Sequence, residues 1–210
     1  MMTEKIEDPA ADIAWMRKLA EEGGQAPMQG NSLLMFGGLL YGVASLFHWA
    51  LFAGVLPLDP DLIWVGWVGA TIAYWIVLGV TIPRLRRSAG VNTTANRAMS
   101  IAWSGMGWGI FAMFIAMAVL AWRLADEAAL NAMFALIPSI IMVFYGVGWA
   151  VHATMQRSRG LWMLSLGSFA AAPLLALFAG AAEQYLAYAA ALFLLMALPG
   201  FLLMRAAKQA

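Results

Sequence analysis

Six stretches of the chain, at about 32–54, 62–82, 98–122, 131–153, 161–181 and 184–204, run on without a single Asp, Glu, Lys or Arg. Crossing about 30 Å of hydrocarbon takes roughly 20 residues as a helix and only about ten as a strand. The runs also lack the period-two alternation of a barrel wall. Inside lipid a chain must satisfy its own backbone hydrogen bonds, which leaves the helix. The sequence therefore predicts an all-α fold: a polytopic bundle of six transmembrane helices.

The few charges, 11% of the residues, are sorted by loop. Lys5, Arg17 and Lys18 precede the first span, and Arg84, Arg86, Arg87 and Arg97 lie between the second and third. Arg157 and Arg159 separate the fourth and fifth, and Arg205 and Lys208 follow the sixth. The other connections hold Arg123 with Asp59, Asp61, Asp126, Glu127 and Glu183. Eleven of the twelve basic residues thus share one side, which by the positive-inside rule is cytoplasmic, with both termini. Trp49, Trp64, Trp67 and Trp122 are expected at the outer interface and Trp149 and Trp162 at the inner one. Trp75 and Trp108 fall deeper and read as packing between helices.

Residues 1–31 form a cytoplasmic segment and 205–210 a cytoplasmic tail around the membrane domain, 32–204. The N-terminus is polar and acidic with no apolar run directly behind it, unlike a cleaved signal. Asp8 as N-cap, Pro9 at the first position and Gly23-Gly24 as a stop punctuate a short amphipathic helix over about 9–22. It lies on the inner leaflet or docks a cytoplasmic protein. The segment "LAEEGGQAPMQGNSLLMFGG" resembles the start of small uncharacterised bacterial inner-membrane proteins, with an acidic helix, "AEEG", a Pro and a Gly-rich first span. That resemblance implies a multi-pass protein of the bacterial inner membrane and attaches no activity.

Gly38 and Gly42 make one G-x-x-x-G, and Gly105 and Gly109 another, spacings that let helix backbones approach closely within the chain or between copies in a homo-oligomer. Pro138, Pro173 and Pro199 each free a backbone carbonyl.

The two histidines of the chain each follow a Tyr-Gly-Val triplet: "YGVASLFH" gives Tyr41 and His48, "YGVGWAVH" gives Tyr145 and His152. Seven residues are nearly two helical turns, so each Tyr shares a face with its His. The first span runs outward and the fourth inward, which separates the imidazoles by roughly 20 Å along the normal. One haem iron needs both axial nitrogens about 4 Å apart, so the pair is no shared haem ligand. A three-helix unit repeated with inverted topology fits the pattern, with "WVGWVG" in the second span beside "WMLSLG" in the fifth.

Cysteine is absent, which excludes disulfides, thiol catalysis and Cys-ligated metals. A net charge of +1 gives no nucleic-acid footprint. No carboxylate or cation lies inside a span, which argues against proton pumps and carboxylate-coupled transporters. No phosphate loop, H-E-x-x-H or nucleophile motif is present, so no catalytic residue, metal or cofactor is predicted. The leading reading is a non-enzymatic membrane protein that binds or passes a neutral or lipophilic solute, with Tyr41, His48, Tyr145 and His152 as candidate ligand-binding residues. An anchor, sensor or accessory subunit working through the N-terminal helix is the alternative, and a haem- or quinone-binding redox subunit the least favoured.

Because the chain has no native cysteine, single-cysteine variants report topology cleanly. In intact cells a membrane-impermeant maleimide should label Asp59→Cys and spare Arg87→Cys until the membrane is opened. Labelling of both from one side would overturn the orientation.

Overall fold

The computed structural model describes residues 13–15, 30–88, 94–124, 126–207 and 209. Within them every regular element is helical, and six helices are long and apolar enough to cross a membrane. The helices are α1 (Asn31–Phe52), α2 (Ile63–Ser88), α3 (Thr94–Arg123), α4 (Glu127–Ala135), α5 (Ile137–Gln156), α6 (Arg159–Leu177), α7 (Glu183–Leu192) and α8 (Leu198–Ala207). A short 3-10 turn (Pro60–Leu62) leads into α2, and a π-helical turn (Phe193–Ala197) joins α7 to α8. Spans four and six are therefore composite: α4 with α5, and α7 through α8. Of the N-terminal helix expected over 9–22, the described residues 13–15 are helical, with Ile13 and Trp15 exposed, and the rest lies outside the described residues.

Local chemistry sets the ends. Gly30, at φ 101°, turns the chain into α1, and Gly54, at φ 70°, follows its end. Such left-handed backbone suits a residue without Cβ. The Asp59 carboxylate accepts the Asp61 N–H at 2.9 Å, and Asp126 accepts those of Ala128 and Ala129 at 3.0 and 3.3 Å. Each carboxylate thereby satisfies otherwise orphaned donors at a helix start. Pro138 has no N–H for the carbonyl four residues back, and the fourth span breaks at Leu136. Pro173 is carried inside α6 without a break.

Span six responds to Pro199 differently. The missing N–H belongs opposite the Leu195 carbonyl, and the helix widens there, with the Leu198 N–H reaching Phe193 O, five residues back. A one-turn π bulge absorbs the proline ring and leaves a carbonyl free.

Spans one, four and six form the centre. Helices α1 and α2 pack together, α1 lies along span six, α6 lies along α5, and α3 lies along α5. The α1–span six seam is antiparallel and very close. A Cβ on Gly38 would collide with the Ala197 backbone, one on Gly42 would sit 2.5 Å from the Phe193 ring, and one on Gly200 would sit 2.5 Å from the Met35 nitrogen. The first G-x-x-x-G is thus an internal contact. The second divides: Gly109 backs onto the Phe144 ring, while Gly105 has nothing within 4 Å.

Helices α2 and α3 are peripheral, with 6% and 11% of their apolar cores buried against 44% for the fourth span. Their outward faces are large and apolar, as lipid-facing surfaces are. Trp75 and Trp108, expected between helices, are 64% and 71% exposed on those faces. Trp149, expected at the inner interface, is completely buried instead. A hydrophobic ring serves equally well against lipid or protein, so residue type alone does not choose between them.

Gly38→Ala should lower the thermal midpoint in detergent by the equivalent of about 1–3 kcal/mol, because backbone rather than a flexible side chain stands in the way. Gly69→Ala, where a Cβ meets nothing within 4 Å, should be neutral or stabilising by up to about 1 kcal/mol. Equal losses at both positions would contradict the close seam.

Candidate ligand-binding site

Of the four candidate residues, the structure brings the two tyrosines together and keeps the two histidines apart. His48 lies four residues before the end of α1, and His152 four residues before the end of α5. His48 stacks on Tyr185, while Trp149, one turn before His152, reaches the carbonyl of Leu195. Those two positions on span six are ten residues apart, about 15 Å along a helix. His152 lies farther still from His48.

The surroundings of His48 fix its chemistry. Its ring stacks on Tyr185 with centroids 3.4 Å apart, and Phe52 approaches edge-on at 6.2 Å. The Trp67 indole N–H donates to His48 Nδ1 at 3.0 Å. An accepting Nδ1 carries no proton, so neutral His48 is the tautomer with its hydrogen on Nε2. The same Trp67 offers its carbonyl to the Thr71 hydroxyl at 2.8 Å, and Thr71 Oγ1 accepts from the Tyr41 phenol at 3.4 Å. One face of α1 is therefore tied to α2 by a neutral chain, His48–Trp67–Thr71–Tyr41.

His152 is different. It is fully buried, stacked on Trp149 with centroids 5.5 Å apart, and neither ring nitrogen makes a hydrogen bond of ordinary geometry. Gln156, one turn on, is the polar side chain beside it. Trp149 itself is anchored: its indole N–H donates at 3.0 Å to the carbonyl of Leu195, four residues before Pro199. His152 is part of that packing.

Between the histidine levels lies an aromatic cluster drawn from spans one, two, three, four and six. Tyr41 sits 5.8 Å from Tyr74 and 6.5 Å from Trp67, ring centre to ring centre, and Trp67 lies 6.5 Å from Tyr188. On the facing side Trp103 packs 6.3 Å from Tyr145 and 5.5 Å from Trp149. The phenols of Tyr41 and Tyr145 are within electrostatic range of each other and of those of Tyr74 and Tyr188. Among the described residues, the Tyr41–Thr71 contact is the one hydrogen bond these phenols make. Tyr41, Tyr74 and Tyr145 are only half-buried despite their central position.

Helix α2 packs along α1 and α3 along α5, and α2 and α3 make no extended contact with each other. Tyr41, Trp67 and Tyr74 belong to the first of these pairs, and Trp103 and Tyr145 to the second. Trp64 meets Phe134, 6.1 Å between centroids, and bridges α2 to α4 at one end. Two shallow, apolar grooves lie on the outside of the bundle. One is lined by Met35, Leu39, Phe193, Ala197, Leu198 and Phe201, the other by Trp64, Val65, Val68, Gly69 and Ile72. Both suit lipid chains.

Sequence reasoning found Tyr41 and Tyr145 but missed the roles of Trp67, Trp103, Tyr74 and Tyr188. The available signal was position: Tyr41, Tyr74 and Tyr145 lie deep within spans, away from the interfaces where the residue is enriched. Among the described residues no group of His, Asp and Glu could hold a metal ion. No family model, curated protein or solved structure matches the chain. The fold and site together define a six-span helical protein whose interior is uncharged and aromatic, and they fit a multi-pass membrane protein.

Trp149→Phe should cost about 1–3 kcal/mol, the penalty for leaving a buried carbonyl unpaired. In a Pro199→Ala background, which returns an N–H to the helix, the same substitution should cost less than half as much. An unchanged cost, measured by thermal unfolding of the four proteins, would separate Trp149 from the proline defect.

Proposed function

We propose that this is a non-enzymatic, multi-pass protein of the bacterial inner membrane, both termini cytoplasmic, that binds a neutral lipophilic solute at the aromatic cluster of its central spans. The observation that carries the reading is the set of half-buried phenols and indoles at the bundle's centre, with no charged group among them. A charged solute entering hydrocarbon needs a counter-charge, whereas a neutral one needs apolar walls and a few polar atoms. Tyr41 and Tyr145 belong to the site, His48 holds its rim through Trp67, and His152 serves packing. Binding or passage across the membrane by this route is compatible with a homo-oligomer built on the exposed faces of α2 and α3.

The packing also supports a 3+3 inverted repeat. Exchanging spans one with four, two with five and three with six maps the α1–α2 contact onto α5–α6 and the α1–span six contact onto α5–α3. A second reading is favoured by the exposed Ile13 and Trp15 on the N-terminal helix, which suit a cytoplasmic protein partner or the inner leaflet.

Protein purified from its own membranes in mild detergent should retain a non-protein mass by native mass spectrometry. Combining Tyr41→Ala with Tyr145→Ala should reduce that mass at least five-fold, while a folded His152→Ala variant keeps it. A bare wild-type protein, or equal retention in every variant, would sink the proposal.

A further inference from the structure

The outer groove between α1 and span six has a built shape and a charge at one end. Its volume is about 320 Å³ and its walls are wholly apolar. Ala197, the last residue of the π turn, is its deepest member, 6% exposed with its backbone against Gly38. Phe193 and Phe201 stand four residues to either side of Ala197, so the two rings bound a notch roughly 10 Å long. Met35 and Leu39, one turn apart, line it from α1, and Leu198 lines it from span six. Leu39, Leu198 and Phe201 are 40%, 47% and 43% exposed, so the notch opens outward to hydrocarbon. An apolar recess left unfilled forfeits contacts along its whole lining, and a lipid chain supplies them.

Apolar fit alone would accept any chain. Arg205 adds selection. It follows Phe201 by four residues and Leu198 by seven, which places it on the groove's face, about 6 Å farther along the helix than Phe201. It is exposed and makes no hydrogen bond or ion pair among the described residues. The acidic residues described, Asp59, Asp61, Asp126, Glu127 and Glu183, all belong to the connections at the other end of the spans. A long cationic side chain at a helix end reaches the headgroup level, and a guanidinium holds phosphate through two parallel N–H bonds. From Arg205 the groove runs toward the middle of span six, the direction an acyl chain takes from its headgroup. A zwitterionic headgroup brings an ammonium that offsets this attraction; a net negative one does not. The groove on α2 makes the contrast. It is also apolar, at about 370 Å³, but the nearest charge along the chain is Asp61, three residues before Trp64.

We infer that the groove between α1 and span six is a binding site for an anionic glycerophospholipid of the leaflet on Arg205's side. One acyl chain lies over Ala197 between the two phenyl rings, and the phosphate rests on the Arg205 guanidinium. The site shares no residue with the aromatic cluster and stands apart from the solute-binding reading.

Photolabelling tests the chain and the headgroup together. The full-length protein is reconstituted in phosphatidylcholine vesicles with a trace of phosphatidylglycerol or of phosphatidylcholine, each carrying the same diazirine on its acyl chain. Mass spectrometry of the labelled peptides should place the phosphatidylglycerol probe on residues 35–39 and 193–201 at least five-fold above the phosphatidylcholine probe. Residues 64–72 should show no such preference. Arg205→Gln should bring the two probes to within two-fold of each other in the groove. Leu39→Trp, which fills the groove and leaves Arg205 in place, should cut labelling there by both probes. Both side chains are exposed, so helix content and thermal midpoint should stay near wild type in each variant. Equal groove labelling by the two probes in the wild type, or an unchanged preference in Arg205→Gln, overturns the inference. So does a groove that neither probe labels, and a Leu39→Cys variant that then forms a disulfide-linked dimer would assign the face to a second copy of the chain.

Discussion

With no ion pair available inside the spans, the bundle is held by close backbone approach and by neutral side chains that reach across to backbone carbonyls. Trp149 donates to Leu195 O, Ser45 to Tyr185 O at 2.7 Å, and Ser165 to Gly146 O at 2.8 Å. Gln184 places its amide nitrogen on Ala135 O at 2.6 Å and Leu175 O at 3.2 Å, tying spans four, five and six at one end. A carbonyl already bonded in a helix still has a second lone pair, so these bonds form without opening the helix. Where a helix is opened, as at Pro199, the cross-link closes the defect. Span six carries most of this load, which explains why α1 must approach it so closely that glycine is required.

Much of this was readable from the chain. Charge-free runs located six spans within a few residues, because the cost of burying a charge in lipid leaves little freedom. Gly38 and Gly42 were legible as a close contact, and Pro199 as the source of a free carbonyl, since both follow from backbone chemistry. The partners were not legible. No feature of Trp149 distinguishes it from Trp162, yet the first is sealed in the core and the second is 44% exposed. In water an amphipathic stripe announces the buried face of a helix; in lipid both faces are apolar and the stripe is weak. The surprises accordingly fell on which face, and hardly at all on which segment.

The histidines illustrate the same limit from the other side. Their rarity and matched spacing drew attention to them, and the spacing has structural content: each stands four residues before its helix ends. But the matched tyrosines are the residues that come within range of each other. Tyr41 and Tyr145 lie two turns deeper, within electrostatic range of each other, while the histidines stand toward the ends of their helices. The repeated triplet, rather than the residue that closes it, marks the centre.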